Sequence, residues 1–236
     1  MPGPREEMET QMYSWVRAMQ EYKKTETERK EKCSPFVTIS RECGTYGTTI
    51  AGLLVEYLRE HEHHGAVSWV VFDKELIQKV MEEHKFPARF EGYFAESSAP
   101  RIRDILEELF GLHPPRETLV LSMSKTILHL ATLGHVILVG RGANIVTRKL
   151  PNGVHVRIVG SFEKRLAHMK EYLKLPEKEA REYILKEDDD RRAYVKRYFQ
   201  KDISDVFLYD LTINTNRVSL QEAVMTIGNM VLMRYK

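Results

Sequence analysis

A glycine-containing turn of seven residues has the composition of a phosphate-binding loop. It reads Cys43-Gly44-Thr45-Tyr46-Gly47-Thr48-Thr49 and lies between a short β-type run and an apolar-periodic helical segment. Backbone N–H groups of such a turn and the N-terminus of the following helix can hold a phosphate together. The hydroxyls of Thr48 and Thr49 are suitable ligands for Mg²⁺. The turn therefore predicts a phosphate site made by Gly44, Thr45, Tyr46, Gly47, Thr48 and Thr49, with the metal ion at Thr48 or Thr49.

The same turn lacks the Lys-Ser/Thr pair that usually ends such a loop, since residues 47–49 are Gly-Thr-Thr. Positive charge for the phosphates must then come from elsewhere, and Arg41 at the start of the loop is the nearest candidate. Cys43 could be a thiol of lowered pKa beside a helix N-terminus, although an ordinary thiol is favoured. A glycine turn between a strand and a helix is also common without any ligand, so the turn alone does not establish a site.

A second set of charged residues lies in the segment "DDDRRAYVKR", residues 188–197. Asp189 and Arg192 are three positions apart, and Asp188 and Arg192 four, so each pair can lie on one face of a helix. On spacing alone, these are surface ion pairs that contribute about 0.3–0.5 kcal/mol each. The aspartates at 188–190 are likewise better explained as a charged helix face than as a magnesium site.

The composition is that of a globular protein, with 42% hydrophobic and 30% charged residues. The 36 basic and 34 acidic side chains nearly balance, which argues against a dedicated nucleic-acid binder. No apolar run approaches the roughly 20 residues that a membrane span needs, and the N-terminus has no secretory signal pattern. Two cysteines, Cys33 and Cys43, cannot form a disulfide framework. We therefore expect a cytoplasmic protein with neither nucleic-acid nor membrane partners.

Residues 1–34 differ in composition from the rest of the chain. Within this highly charged segment, apolar side chains recur at helical spacing, namely Met8, Met12, Trp15, Val16 and Met19. We predict an amphipathic helix and a charged linker over 1–34, followed by one domain over 35–236. Packing of the helix on that domain is the ordinary interpretation. The alternative is a partner-binding arm, which could form a homodimer.

Five short apolar runs alternate with helix-length segments from Phe36 onward. The predicted strands are 36–40, 68–73, 135–140, 154–160 and 209–215, and the predicted helices are 48–61, 74–84, 118–134, 161–173, 177–199 and a last one. That last helix opens at Ser219 with Glu222 three positions later, which is a capping box. Strands separated by helices of this length pair in parallel, with helices on both faces. The predicted fold class is α/β, a three-layer α/β/α sandwich around a central parallel five-stranded sheet.

Four segments together resemble the cytidylate kinase-like family, a branch of the nucleoside monophosphate kinases within the P-loop fold. They are the first strand with its loop, "ILVGRGAN" (137–144), "DDDRRAYVKRYF" (188–199) and "YDLTINTNRVSLQEAV" (209–224). They occur in order and with compatible spacing from about Phe36 to the C-terminus. Loops of that family often read "SREYGSGGREIA", whereas this chain has "SRECGTYGTTIA", with Thr48 where the family arginine stands. The resemblance implies a helical acceptor-binding insert and a helical lid.

The resemblance also implies that arginines from separate segments converge on the phosphate being transferred. Phosphoryl transfer requires aligned phosphates and positive charge where negative charge accumulates. Arg141 directly follows the third strand and is the predicted clamp for the acceptor phosphate, because a guanidinium can bind phosphate with two bonds. Arg191, Arg192 and Arg197 are predicted to close over the phosphate from the lid. The predicted catalytic residues are Arg41, Arg141, Arg191, Arg192 and Arg197.

The predicted acceptor-binding residues are Asp73, Lys79, Arg101, Arg103 and Arg141. Asp73 and Lys79 lie in "FDKELIQK" after the second strand, a segment that loosely resembles the acceptor-binding segment of cytidylate kinases. Lys79 stands where that family usually has an arginine. Gly142 stands where ordinary cytidylate kinases carry an aspartate that helps to recognise the acceptor. These departures leave the identity of the acceptor open.

The resemblance predicts a kinase that transfers the γ-phosphate of ATP, bound with Mg²⁺, to a nucleoside monophosphate such as CMP or dCMP. Positions 48, 79 and 142 keep two alternatives open. One is a catalytically impaired nucleotide-binding module that acts as a sensor or a partner-binding domain. The other is a kinase of a different small acceptor. Binding without turnover would distinguish the first alternative, and a panel of acceptors would distinguish the second.

Overall fold

Five parallel strands form the centre of the molecule. The computed structural model describes residues 14–15, 34–61, 68–75, 77, 98–110 and 119–235, with backbone only at 98–101. The strands are β1 (Phe36–Arg41), β2 (Val70–Phe72), β3 (Val136–Val139), β4 (Gly153–Val159) and β5 (Leu211–Asn214). They pair in the order β2-β3-β1-β4-β5, and every pair is parallel. The predicted parallel five-stranded sheet is confirmed, with β1 in its centre.

The described part of the chain contains seven α-helices. They are α1 (Gly47–His61), α2 (Ser98–Phe110), α3 (Leu119–Leu133), α4 (Ala143–Val146), α5 (Phe162–Leu173), α6 (Glu177–Phe199) and α7 (Leu220–Arg234). The predicted capping box is confirmed at the start of α7, where the Ser219 N–H donates to Glu222 Oε2 at 2.8 Å and the Glu222 N–H donates to Ser219 Oγ at 3.3 Å. None of the described helices combines the length and the apolar character that crossing a membrane would require.

The central strand β1 is buried on both faces, as parallel strands between two helical layers must be. Val37 and Ile39 pack on the layer formed by α1 and α7. Phe36 packs on the layer formed by α2, α3 and α4. Thr38 and Ser40 are buried on that second face, nearer the carboxyl end of the strand. The strand therefore carries polar side chains near its carboxyl end, which is where ligands of open α/β sheets bind.

The N-terminal segment is described at Ser14 and Trp15, which are helical. The Trp15 side chain is 1% exposed and meets the ring of Phe72 edge-on at 5.6 Å between centroids. At this residue the segment packs on the sheet domain. The rest of the predicted helix lies outside the described residues, and its possible role in a homodimer and the domain boundary at 34 stay predictions. The predicted helix over 74–84 is described only at 74, 75 and 77, where it is helical.

Candidate active site

A cleft of about 460 Å³ lies at the carboxyl end of β1 and β3, beneath α6. Thr38, Ser40 and Asn144 contribute polar groups to its floor. Its charged lining residues are five bases and two acids, namely Arg41, Lys74, Arg141, Arg191, Arg197, Glu187 and Asp190. Such an excess of positive charge in a concave site favours an anionic ligand.

The loop between β1 and α1 borders this cleft at Arg41. The Thr45 hydroxyl donates to the Glu42 carbonyl at 2.9 Å, and Tyr46 has a left-handed backbone with φ of 61°. Among the described residues, no hydrogen bond uses the backbone N–H groups from Gly44 to Thr49. These N–H groups lie at the N-terminus of a 15-residue helix, which is the arrangement that binds phosphate oxygens.

A metal ion bound with phosphates would find oxygen ligands at the first turn of α1. The side chains of Thr48 and Thr49 are exposed there. Within the described ranges, no three histidine, cysteine, aspartate or glutamate side chains gather into a metal site. Threonine hydroxyls suit Mg²⁺, which keeps most of its water and phosphate ligands and takes few from the protein.

Arg41 extends across the loop into the cleft. A Cβ atom placed on Gly47 would lie 2.9 Å from the Arg41 Cγ atom, so the stem of Arg41 packs on the loop at Gly47, one position before Thr48. The guanidinium ends beside Gly140, at the end of β3. Burial, followed by the nearby charge of Arg191, lowers the pKa of Arg41 to about 10, although Asp73 opposes the shift. The side chain is still cationic at neutral pH, but its charge is incompletely compensated.

Arg141 lies in a strained turn directly after β3. Gly140, Arg141 and Gly142 all have positive φ, at 83°, 55° and 68°. This conformation is costly for a residue with a side chain and is often found at functional sites. The Arg141 guanidinium lies in the cleft, 5.2 Å from the centre of the Tyr194 ring. The turn thus directs a cation toward the ligand space, where the sequence predicts the phosphate clamp.

The structure leaves little space for a side chain at residue 142, where the resemblance stated above implies an aspartate. Its φ of 68° favours glycine, and an added Cβ atom would lie 2.5 Å from Cε2 of Phe199 at the end of α6. A larger residue would therefore collide with the lid helix. Any acceptor recognition by an acidic group must use another position.

The lid helix α6 brings two of its three predicted arginines to the cleft. Arg191 lines the cleft and donates to Glu187 at 2.6 Å and to Asp188 at 3.2 Å. Arg197 also lines the cleft, 5.5 Å from the centre of the Tyr198 ring. The Arg192 side chain is 59% exposed, pairs with Asp189 at 2.5 Å and is not among the residues that line the cleft. Arg192 therefore has the surface ion pair that its spacing predicts.

The predicted acceptor-binding residues are only partly described. Asp73 is partly buried and close enough to Arg41 to act on its charge. The Arg103 side chain is 73% exposed, pairs with Glu107 at 3.6 Å and is not part of the cleft lining. Lys79 and the side chain of Arg101 lie outside what the structure describes. Lys74, which the sequence analysis passed over, does line the cleft.

Arg165 on α5 is the largest omission of the sequence analysis. It is buried, with 8% of its surface exposed, and its Nη1 donates to Asp188 Oδ2 at 2.5 Å and to the Cys43 carbonyl at 3.0 Å. Its Nε donates to the Gly160 carbonyl at 3.1 Å. A lone arginine in an amphipathic helix is ordinarily a surface residue. The sequence carries no local signal that its partners are 23 and 122 positions away.

A second buried arginine lies beneath the floor of the cleft. Arg157 on β4 is 7% exposed, and its Nη1 donates to Ser40 Oγ at 2.8 Å. The Tyr209 hydroxyl lies 3.3 Å from the same oxygen and donates to the Ile203 carbonyl at 2.9 Å. Arg157 thus holds the orientation of a hydroxyl that faces the ligand space. Its position inside an apolar strand gave no indication of this contact.

Cys43 is buried, and desolvation raises the pKa of its thiol. The interpretation of Cys43 as a thiol of lowered pKa is therefore wrong. Its side chain packs with Leu166, Met169, Ala180 and Ile184 between α5 and α6.

Comparison with known proteins identifies the family of this chain. The sequence model of the cytidylate kinase-like family matches residues 36–217. An uncharacterized protein from Eubacterium ventriosum has a similar structure, with a TM-score of 0.66 at 22% identity over 85% of this chain and 99% of its own. Two more remote structures are also similar. A gluconokinase from Sinorhizobium meliloti has a TM-score of 0.41 at 10% identity over 87% of this chain and 98% of its own. A shikimate kinase from Bacteroides thetaiotaomicron has a TM-score of 0.38 at 11% identity over 85% of this chain and 97% of its own. No curated protein sequence gives a significant match.

Proposed function

Because the chain belongs to the cytidylate kinase-like family, we propose that it transfers the γ-phosphate of ATP to a nucleoside monophosphate, with CMP or dCMP as the acceptor. Membership of this family, together with the three-layer P-loop kinase fold, supports a phosphotransferase that acts on a nucleotide or another small molecule. The observation that carries the finer proposal is the cleft itself. Four arginines and Lys74, from four segments of the chain, line one cavity beside a loop whose N–H groups make no hydrogen bond to any residue that the structure describes.

In this proposal the loop holds the donor phosphates. The N–H groups from Gly44 to Thr49 bind the phosphate oxygens, and the dipole of α1 favours their negative charge. Mg²⁺, bound together with ATP at the hydroxyl of Thr48 or Thr49, would neutralise part of the phosphate charge. Arg41 supplies the cationic side chain that other loops of this type place at their end.

The transfer step needs little covalent work from the protein. An oxygen of the acceptor phosphate attacks the γ-phosphorus, and the bond from that phosphorus to the β–γ bridging oxygen breaks, which yields ADP and a nucleoside diphosphate. The acceptor phosphate is largely deprotonated at neutral pH, so no general base is required. Arg141 holds the acceptor phosphate, and Arg41, Arg191 and Arg197 balance the charge that is transferred.

Recognition of the acceptor beyond its phosphate falls to the groups at the floor and rim of the cleft. Asp73, Lys74, Ser40 and Asn144 are the described candidates, and Lys79 and Arg101 stay candidates from the sequence. The contact between Gly142 and Phe199 leaves no room for the usual aspartate. That contact favours, as a second candidate function, a kinase of a different small acceptor. We place the reaction in the cytoplasm, where ATP and nucleoside monophosphates occur.

A coupled assay of ADP release tests the proposal, with CMP, dCMP and the other common monophosphates as acceptors. We expect turnover with CMP or dCMP, its loss in Arg41→Ala, and only modest damage in Thr48→Ala, since Thr48 carries no charge and the Thr49 hydroxyl can still bind the Mg²⁺. Arg181→Ala is the control for the loss of an arginine, because Arg181 lies on α6 and stacks on Phe162 at 4.8 Å, outside the cleft lining.

The outcomes separate the alternatives. Turnover with another acceptor alone would establish the second candidate function. ATP binding without turnover on any acceptor would instead support the sensor. Activity of Arg41→Ala equal to that of the unmodified chain would exclude Arg41 as the cation of the loop.

A further inference from the structure

The carboxylate of Asp188 connects the phosphate loop to two helices, and we propose that it is a positioning residue that couples the lid helix α6 to the loop. The proposal deepens the function above and rests on it for the kinetic part of its test. The sequence analysis interpreted Asp188 as part of a charged helix face, so its contacts are a finding of the structure.

Asp188 accepts hydrogen bonds from three segments. Its Oδ1 atom accepts from the Cys43 N–H at 2.7 Å and from Nη1 of Arg191 at 3.2 Å. Its Oδ2 atom accepts from Nη1 of Arg165 on α5 at 2.5 Å. The side chain is 17% exposed, which reduces the solvent screening of these charge-assisted bonds. One carboxylate therefore joins the loop, α5 and α6.

The first residue of the loop is held on both sides of its Cα atom. Asp188 accepts from the N–H of Cys43, and Arg165 donates to the carbonyl of Cys43 at 3.0 Å. Arg165 also donates to the carbonyl of Gly160, the residue after β4, at 3.1 Å. The start of the loop is thus tied to the sheet through Arg165 and to the lid through Asp188.

Asp188 and Arg191 lie on the same turn of α6 but contact different parts of the molecule. Arg191 lines the cleft, whereas Asp188 bonds to the loop. A movement of α6 that withdraws Arg191 from the cleft must therefore break the bonds from Asp188 to Cys43 and to Arg165. The position of Arg191 in the cleft and the position of the loop backbone are therefore coupled.

The chain contains a matched control at the next position. The Asp189 side chain is 71% exposed, and within the described residues it pairs with Arg192 at 2.5 Å. Replacement of either aspartate by asparagine removes one negative charge from the same turn of α6 with almost no change in volume. Both variants lose the same charge, but only the variant at Asp188 alters a contact with the loop.

Cys43 supplies a readout that needs no turnover. Its side chain is 6% exposed and packs between α5 and α6, so a thiol reagent reaches it only when this region opens. In a Cys33→Ser background Cys43 is the remaining cysteine, because the chain has two. The rate of Cys43 modification by a thiol reagent therefore measures how firmly the loop and the lid are held together.

The experiment compares Asp188→Asn, Asp188→Glu and Asp189→Asn in the full chain with Cys33→Ser, at a temperature where circular dichroism shows each to be folded. In Asp188→Asn we expect Cys43 to react about tenfold faster, since local opening is easier. We expect kcat to fall by about 10²-fold with a change of less than about threefold in KM for ATP, because positioning rather than binding is lost. Asp188→Glu keeps the charge and recovers much of both, whereas Asp189→Asn changes neither.

Unchanged thiol reactivity in Asp188→Asn, or an equal change in Asp189→Asn, would overturn the proposal. A glutamate variant more damaged than the asparagine variant would do the same, since it would indicate packing rather than charge. If Asp188→Asn does not fold, Arg165→Gln tests the same carboxylate from its other side, with the same expected rise in thiol reactivity. If no form of the chain shows turnover, the proposed function fails, while the thiol comparison still decides whether Asp188 couples lid and loop.

Discussion

Arg41 carries a positive charge that the ligand-free protein holds at a cost in free energy. Its pKa is lowered to about 10, well below the ordinary value for arginine, mainly by burial and then by Arg191. The folded protein thus binds this proton less tightly than the unfolded chain does. The resulting destabilisation is fully present below about pH 10 and disappears as the pH rises from about 10 toward the higher pKa of this group in the unfolded chain.

We therefore expect Arg41→Met to stabilise the ligand-free protein at pH 7, by something on the order of 1–3 kcal/mol. The same variant should lose most of the stabilisation that ATP and Mg²⁺ give to the unmodified chain, because the cation that the phosphates compensate is gone. Thermal unfolding with and without the nucleotide measures both effects. A ligand-free variant that is less stable than the unmodified chain would contradict this account of Arg41.

Substitutions of Arg141 should change both the catalytic rate and, through the backbone conformation, the stability of the protein. Arg141→Ala should lower kcat/KM by about 10²-fold or more, as expected for the loss of a charge contact in the transition state. Arg141→Gly should lose the same activity but be more stable than Arg141→Ala by up to about 1 kcal/mol, because glycine adopts the φ of 55° without strain. Steady-state kinetics and urea unfolding check the two parts. The exposed Arg148, which lies outside the cleft lining, is the control, and normal turnover in Arg141→Ala would exclude the clamp.

At the scale of secondary-structure elements, the end of the lid helix lies against the turn after β3. The contact between Gly142 and Phe199 is so close that each residue limits what the other can be. Gly142→Asp should destabilise the protein by about 1–3 kcal/mol through its backbone conformation and its collision with the ring. Phe199→Ala should cost about 3–5 kcal/mol by leaving a cavity.

The double variant tests whether these two costs share a cause. With the ring removed, the aspartate meets no collision, so we expect the combined loss to be smaller than the sum of the single losses by about 1 kcal/mol or more. Urea unfolding of the four proteins gives this coupling energy. Additive losses would mean that Phe199 does not determine the residue at 142.

The elements themselves were largely predictable from the sequence. Apolar runs bounded by turns predicted all five strands, and the capping box predicted the start of α7, because both signals are local. The site was predictable where a residue adjoins such an element, as Arg41 and Arg141 do. Arg165, Arg157 and Lys74 were missed because their roles depend on neighbours brought together by the fold. Arg192 was predicted at the phosphate although spacing alone favoured the surface ion pair that is observed.

At the scale of the whole molecule, the N-terminal segment is part of the folded core at Trp15. The indole is 1% exposed, contacts Phe72 and has no hydrogen-bond partner for its N–H among the described residues. Trp15→Ala should destabilise the protein by about 3–5 kcal/mol, since a large buried ring is lost. Trp15→Phe should cost much less, because it keeps most of the packing.

Unfolding in urea measures both variants, and sedimentation at several concentrations shows whether the oligomeric state changes. Loss of a dimer in Trp15→Ala without loss of stability would favour the partner-binding arm instead. A destabilised variant with an unchanged oligomeric state would support the packing of this segment on its own domain.

The position of Trp15 has an optical consequence. The chain has two tryptophans, and the other, Trp69, directly precedes β2 and is also 1% exposed. Trp15 belongs to the apolar cluster on one face of the sheet and Trp69 to the cluster on the other. Both fluorophores therefore flank the edge strand β2, which leads directly to Asp73 and Lys74 beside the cleft. Intrinsic emission of this protein is a probe of that single edge, and quenching or a spectral shift on titration with a nucleoside monophosphate would report on the proposed acceptor site without any attached dye.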